Sequence, residues 1–411
     1  MSSPEMQIIR KKFEDFYKEK DFSAHSPPRF EEREFGFLLF TEGKMIRHQK
    51  FTNVNLLNEF LGKLVPSDVY YSSAYFESPE KQMEKKGWLG ADLVFDIDSD
   101  HIPTSCGKVH DSWQCKKCNF EGKGICPETC PKCGETRFDS KTWVCEVCME
   151  SAKSQTSRLV NMLLEDLGFS KDSVKVYFSG HRGYHVHVEN ERVHSLDSMA
   201  RKEIVDYVIG LGLKPKLHRV ITNQRILLTT DLKGGGWKKR VSFGLHELLT
   251  KPTLIEGQMV ELRKPIIDYL KKSKEIVKDS NNRGWIASKG MRSGSWEELV
   301  RLIVSQQSSK IDTVVTTDIH RLIRLDGSLH GKTALMKINA PLDKLTEFDP
   351  LKKAIAFKKG EIIVDVTEAP KFRIGDTYYG PYKNDSHVNL PSAAALFLLC
   401  KGAAKVVNVN V

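Results

Sequence analysis

Eight of the chain's nine cysteines fall between Cys106 and Cys148, and this crowding restricts the fold more than any other feature. Cys115-Lys-Lys-Cys118 and Cys130-Pro-Lys-Cys133 are two CxxC knuckles eleven residues apart. Each knuckle sets two thiolates on one side of a tight turn, and two knuckles complete a tetrahedron around zinc. A second set brackets the first, with Cys106 and His110 upstream and Cys145 and Cys148 downstream. These four residues suit a separate Zn²⁺, with the inner finger inserted between its halves. Cys126 offers a substitute ligand for either set, and a single zinc with spare reduced thiols is the plainer alternative. No open coordination position is evident, so both sites read as structural.

The rest of the chain must then fold around a metal-bearing insertion. At 411 residues it has room for two or three cores. The composition, 40% hydrophobic and 28% charged, is that of a soluble globular protein. The apolar stretch Ala393–Cys400 is too short to cross a bilayer. Met1–Phe22, dense in both charge signs, does not read as a targeting segment. The expected setting is intracellular, cytoplasmic where compartments exist, with reduced thiols. A net charge of +10 and a pI near 9.0 point to a polyanionic partner. The excess clusters at Lys233–Arg240, Lys271–Lys278 and Lys352–Lys359. None of these combines basic residues with an anchored apolar helical face, so nucleic acid is favoured over a membrane.

Three constellations carry chemistry. Ala91–Asp98 alternates as a strand, placing Phe95 and Ile97 on one face and Asp96 and Asp98 on the other. Paired carboxylates at a strand end repel each other unless a cation binds, and Mg²⁺ suits such hard oxygen ligands. Ser179-Gly-His-Arg-Gly-Tyr-His185 packs a hydroxyl, two glycines, an arginine and two histidines between two short strands. Arg182 can hold phosphate oxygens bidentately, with Ser179 and His185 donating further hydrogen bonds. Thr317–Thr333 supplies Asp318 as a candidate third metal ligand, and Arg324, His330 and Lys332 as triphosphate contacts. It is not a P-loop: three residues, not four, separate Gly327 from Gly331.

Helical spacing is expected at Met6–Lys18, Leu56–Leu64, Ser151–Leu167, Met199–Leu211, Val260–Lys272 and Trp296–Gln306. Extended segments are expected at Glu34–Phe40, Val69–Phe76, Val174–Ser179, Tyr184–Val188, around Val314, and at Glu361–Val366. The architecture reads as α+β: a mixed catalytic core in three parts (1–103, 150–196, 312–411), the last with a C-terminal helix. A zinc-binding insertion (104–149) and a helical subdomain (197–311) interrupt it.

Taken in order, Arg33-Glu-Phe-Gly-Phe37, Asp96-x-Asp98, the cysteine knuckles, Ser179-Gly-x-Arg-Gly-x-His185, Asp318 and Arg321-Leu-Ile-Arg-x-x-Gly-Ser-Leu-His330 span most of the chain. So ordered, the chain resembles the catalytic small subunit of archaeal-eukaryotic DNA primase, most closely the archaeal form. The resemblance implies a primase-type core and de novo primer synthesis on single-stranded DNA by two-metal nucleotidyl transfer. It implies that Asp96, Asp98 and Asp318 bind Mg²⁺ or Mn²⁺. It further implies that Ser179, Arg182, His185, Arg324 and His330 bind the incoming nucleoside triphosphate. Cys106, His110, Cys145 and Cys148 match the family's structural zinc knuckle, and a large partner subunit is implied as heterodimer mate. The inner finger departs from the family, as does His181 where related proteins often carry Arg. The rival readings are a gap-filling polymerase of the same fold and a non-catalytic zinc-finger nucleic-acid-binding protein.

Overall fold

The structure is a computed structural model. It describes residues 3–40, 43–102, 104, 106–215, 219–222, 225–229, 235–250, 266–267, 285–288 and 293–407. The fold is α+β and divides into two compact units, 1–154 with 171–201 and 311–411, and 155–170 with 202–310.

The first unit is built on two four-stranded sheets. One has the order β15 (Leu322–Arg324), β3 (Asp68–Ser72), β1 (Phe35–Leu38), β2 (Met45–Gln49). The other has the order β16 (Ile338–Asn339), β10 (Val174–Phe178), β11 (Gly183–Val188), β6 (Leu93–Asp98). The alternation read from Ala91–Asp98 is realised in β6, where Leu93, Val94, Phe95 and Ile97 are buried while Asp96 and Asp98 remain partly open. A hairpin of β4 (Ala74–Phe76) and β5 (Trp88–Ala91) leads into this strand. Arg33 fixes the join: its guanidinium donates to Asp92 at 2.6 Å and to the carbonyls of Ser72 and Ser73. The arginine of the first sequence motif therefore braces the core.

The helix Pro4–Glu19 begins at Ser3, whose hydroxyl accepts from the Met6 N–H, and has Pro in its first turn. It buries Ile9, Phe13 and Tyr17, a four-residue spacing that lines one face. The helix Ser392–Cys400 is apolar on every side and buried nearly throughout. It packs on β17 (Glu361–Ala369), which lies between β20 (Tyr382–Pro391) and β21 (Ala404–Val406). A small hairpin, β18 (Phe372–Ile374) with β19 (Thr377–Tyr379), stands beside it. The cysteine-rich segment forms its own sheet, with β7 (Ser112–Cys115) between β8 (Glu121–Lys123) and β9 (Phe138–Lys141).

The second unit departs from the helical expectation. Alongside the helices Gly236–Thr250 and Ser293–Gln307 it carries an antiparallel sheet of β12 (Arg219–Thr222), β13 (Arg225–Thr229) and β14 (Trp285–Ser288). The two helices pack through Val241, Leu245 and Leu248 against Trp296, Leu299 and Ile303, all buried. The helix expected over Ser151–Leu167 is α-helical over Glu146–Asn161 and then widens into a π-turn at Met162–Asp166. The helix expected at Val260–Lys272 lies outside the described residues except for 266–267, as does the basic run Lys271–Lys278. Around Val314 the extended reading fails. Asp312 accepts from the Val314 and Val315 N–H groups and starts a short helix, Thr313–Thr317.

Candidate active site

β6 and β11 pair residue for residue, with Gly183 opposite Asp98 and His185 opposite Asp96. Gly183 is required there, because a Cβ would run into the Ile97 carbonyl oxygen. The outer edge of β6 is covered by the Thr313–Thr317 helix, whose capping residue Asp312 donates its N–H to the Asp96 carbonyl at 2.8 Å. Desolvation and the Asp312 charge raise the Asp96 carboxyl to about 6. Desolvation together with the charges of Asp100 and Asp96 raises Asp98 to about 7. Carboxyls held this high are crowded acids whose burial and mutual repulsion outweigh the nearby cations.

Asp100 acts on Asp98 and Asp312 on Asp96; the expected Asp318 is not among the acids that shift either carboxyl. Asp318 caps the far end of the same short helix, six residues and roughly 9 Å of helical rise away. Its carboxylate accepts from the His320 N–H at 2.9 Å. The extended reading around Val314 hid Asp312; an Asp immediately before Thr-Val-Val was the available signal, a helix N-cap.

A cationic side faces these acids. The Ser179 hydroxyl accepts from the N–H groups of His181 (3.3 Å) and Gly183 (3.2 Å), closing the turn between β10 and β11. Arg182 is buried and donates to Asp100, to Asp111 at 2.8 Å and to the Trp143 carbonyl at 3.2 Å. It stands 3.9 Å from Asp98. Arg324 donates to Asp68 and lies over the Tyr70 ring. Burial alone would raise Asp68, but the Arg324 charge prevails and holds it at about 2. Both arginines expected to meet phosphate are thus already engaged with carboxylates.

His185 lies 3.6 Å from Asp96, and His330 stacks on His181 with ring centroids 5.1 Å apart. Burial first, then the surrounding cations, holds all three imidazoles well below their usual range, so they are neutral near pH 7. Two lysines that sequence reasoning missed complete the group. Lys337 donates to the Arg324 carbonyl at 2.6 Å. Lys401 reaches His181 Nε2 at 2.7 Å and the Thr142 carbonyl at 2.9 Å. Desolvation lowers each to about 7. A cavity of about 140 Å³ opens among Tyr70, Asp96, His185, Arg321 and Arg324.

The cysteines sort into the two expected sets, each with its ligand atoms within 4.8 Å of one another. In the outer set Cys106 Sγ lies 3.3 Å from Cys148 and 3.4 Å from Cys145, and His110 Nε2 lies 3.2 Å from Cys145. In the inner set Cys115 is 3.6 Å from Cys133, and Cys118 is 3.7 Å from Cys130. Zn–S bonds of about 2.3 Å in a tetrahedron require sulfurs just under 4 Å apart. Both sets fit, and Cys126 belongs to neither; its thiol faces the Pro127 carbonyl. Behind the outer set, His110 Nδ1 bonds Asp111 Oδ1 at 2.7 Å, and the other oxygen of Asp111 takes the Arg182 bond. Asp111 thereby joins a metal ligand to the β10–β11 turn.

A sequence profile for the DNA primase small subunit matches residues 132–343. Over 98% of its length this chain is 33% identical to 99% of the DNA primase small subunit PriS of Cenarchaeum symbiosum. It is 35% identical to the PriS of Thermoplasma volcanium over 95% of each chain. With the PriS of Nitrosopumilus maritimus, identity is 30% over 99% of this chain and all of the other.

Proposed function

The chain belongs to the DNA primase small-subunit family, and from that membership we propose that it is the catalytic subunit of a DNA primase, a nucleotidyltransferase that starts strands on a single-stranded DNA template. The observation that supports the chemistry is the raised carboxyl pair Asp96 and Asp98, with the Asp312 charge acting on Asp96, opposite a group of arginines, lysines and neutral histidines. Asp96, Asp98 and Asp312 would hold two divalent cations, Mg²⁺ or Mn²⁺. Cations bound there supply polarisation of the attacking hydroxyl and charge stabilisation for departing pyrophosphate.

The side chains supply the rest. Asp96 and Asp98 release their protons as cations bind, which turns a destabilised pair into ligands. Ser179, Arg182, His185, Arg324 and His330 line the path of the triphosphate. The neutral imidazoles donate hydrogen bonds without adding fixed charge. Arg182 and Arg324 add the fixed charge, already oriented by Asp111 and Asp68. Lys337 and Lys401, lowered to about 7, take up protons as anionic oxygens arrive. In the reaction the primer 3′-oxygen bonds to the α-phosphorus while the bond to pyrophosphate breaks.

Both cysteine sets are proposed as structural zinc sites, residues 104–149 as the insertion that carries them, and 197–311 as a separate subdomain. A large subunit is the proposed heterodimer partner, and the proposed setting is intracellular. Among the described residues no helix is long and apolar enough to cross a membrane. The test is metal-dependent nucleotide incorporation on a primed template. Asp96→Asn and Asp312→Asn should abolish it and Asp318→Asn should not. Full activity in Asp96→Asn removes the catalytic assignment, and an inactive Asp318→Asn beside an active Asp312→Asn restores the motif-based one.

A further inference from the structure

The chemistry proposed above leaves the inner finger and the C-terminal sheet without a task, yet they face each other across a cleft of about 530 Å³. Its lining includes Lys123, Lys141, Lys332, Lys383 and Lys401, set against one carboxylate, Glu368. Lys123 and Lys141 come from β8 and β9 of the finger sheet, and Lys383 from β20. All three are exposed, and among the described residues none has an ion-pair partner within 4.0 Å. Trp143 and Tyr382 add aromatic surface to the same walls. At one end Lys401 bonds His181, which stacks on His330, so the cleft opens onto the triphosphate side of the candidate active site.

Lysine is informative here. A triphosphate held in one pose is best met by the planar fork of arginine, as at Arg182 and Arg324. Hydrated ammonium groups on flexible stems suit a backbone that shifts as it is used. Lysines interleaved with aromatic rings are the chemistry of single-strand binding, with phosphates on the cations and a base on the ring. We propose that the cleft between the inner finger and the C-terminal sheet holds a segment of single-stranded nucleic acid, its phosphates on Lys123, Lys141 and Lys383 and a base against Tyr382. The identity of the strand as template rests on the polymerase reading. The strand-binding itself does not.

The experiment is fluorescence-anisotropy titration of the full chain with a labelled single-stranded thymidine oligomer, without divalent metal or nucleotide, across a range of NaCl concentrations. K123Q/K141Q/K383Q should weaken binding by about tenfold or more at low salt, and should lower the slope of log Kd against log salt by about 2, at roughly 0.7 per lost phosphate contact. The charge-matched control K81Q/K85Q/K359Q, exposed lysines outside the cleft, should bind as the unaltered chain does. An unchanged slope in the cleft variant, or an equal loss in the control, overturns the proposal. So does displacement of the oligomer by ATP at equal phosphate concentration, which would make the cleft a nucleotide site. If the unaltered chain incorporates no nucleotide while the cleft variant still loses the strand, the polymerase reading fails and the cleft assignment stands.

Discussion

The outer and inner cysteine sets present nearly the same donor geometry and very different surroundings. The outer set draws its ligands from both ends of the insertion, and His110 passes through Asp111 to Arg182 and on to Asp100 beside the acidic pair. The inner set draws Cys115 from β7 and the other three from the turns beside that sheet, and among the described residues none of its thiols has a bonding route to the acids. Ligand spacing identifies a metal site; the hydrogen bonds behind the ligands identify what the metal supports. On the proposed reading the outer set would support the chemistry, and the inner set one wall of the basic cleft.

The largest effect expected from this contrast is on turnover at saturating template. Cys145→Ser should lower nucleotide incorporation on the order of 100-fold while Cys118→Ser stays within about threefold, since loss of a ligand costs at least as much as the roughly 100-fold that loss of a group behind a ligand can cost. Equal losses in the two variants would erase the distinction. Next comes the connection itself. Asp111→Asn should retain zinc, measured by metal content, yet lose about tenfold or more in incorporation, mainly through KM for nucleotide as Arg182 loses the charged partner that ties it to the metal set. Unchanged KM would mean that the outer set acts without Asp111.

A smaller effect is readable in stability. Asp98 titrates at about 7 in the folded chain against an ordinary value of 3.8. A raised carboxyl contributes stability fully below its unfolded value, and that contribution is lost as pH rises through the folded value. Without divalent cations, thermal melts from pH 5 to 8 should therefore show the unaltered chain falling relative to Asp98→Asn, and Mg²⁺ should reverse the fall at pH 8. Cys145→Ser, with Arg182 released, should deepen the fall, while Cys118→Ser should match the unaltered chain. The smallest effect belongs to Gly122→Ala. A Cβ there runs into the Trp113 ring, so protease sensitivity of the finger should rise while incorporation at saturating template holds.

The strand bearing Asp96 and Asp98, the turn at Gly180–Gly183 and both metal sets were legible because each is local: an alternation, a glycine-bounded turn, a ligand spacing. What was missed depends on contacts made at long range. Asp312 reaches Asp96 from more than two hundred residues away, and its neighbours Val314 and Val315 are β-formers drawn into a helix by its cap. Asp68 and Asp111 carried no motif, since an isolated acid signals nothing until an arginine is folded onto it. Lys401 sat beyond a hydrophobic helix and was invisible for the same reason. The helical expectation for 197–311 overlooked β12, β13 and β14, whose short runs lie among basic and helical segments.

The residue-for-residue pairing of β6 with β11 has a consequence for how such a chain can diversify. Because side chains alternate, adding or deleting one residue within Leu93–Asp98 would turn Ile97 outward and send an aspartate into the oil of the core. Substitutions can adjust this strand; changes in length cannot. New material must enter past its last residue, and the cysteine-bearing insertion begins only a few positions beyond Asp98.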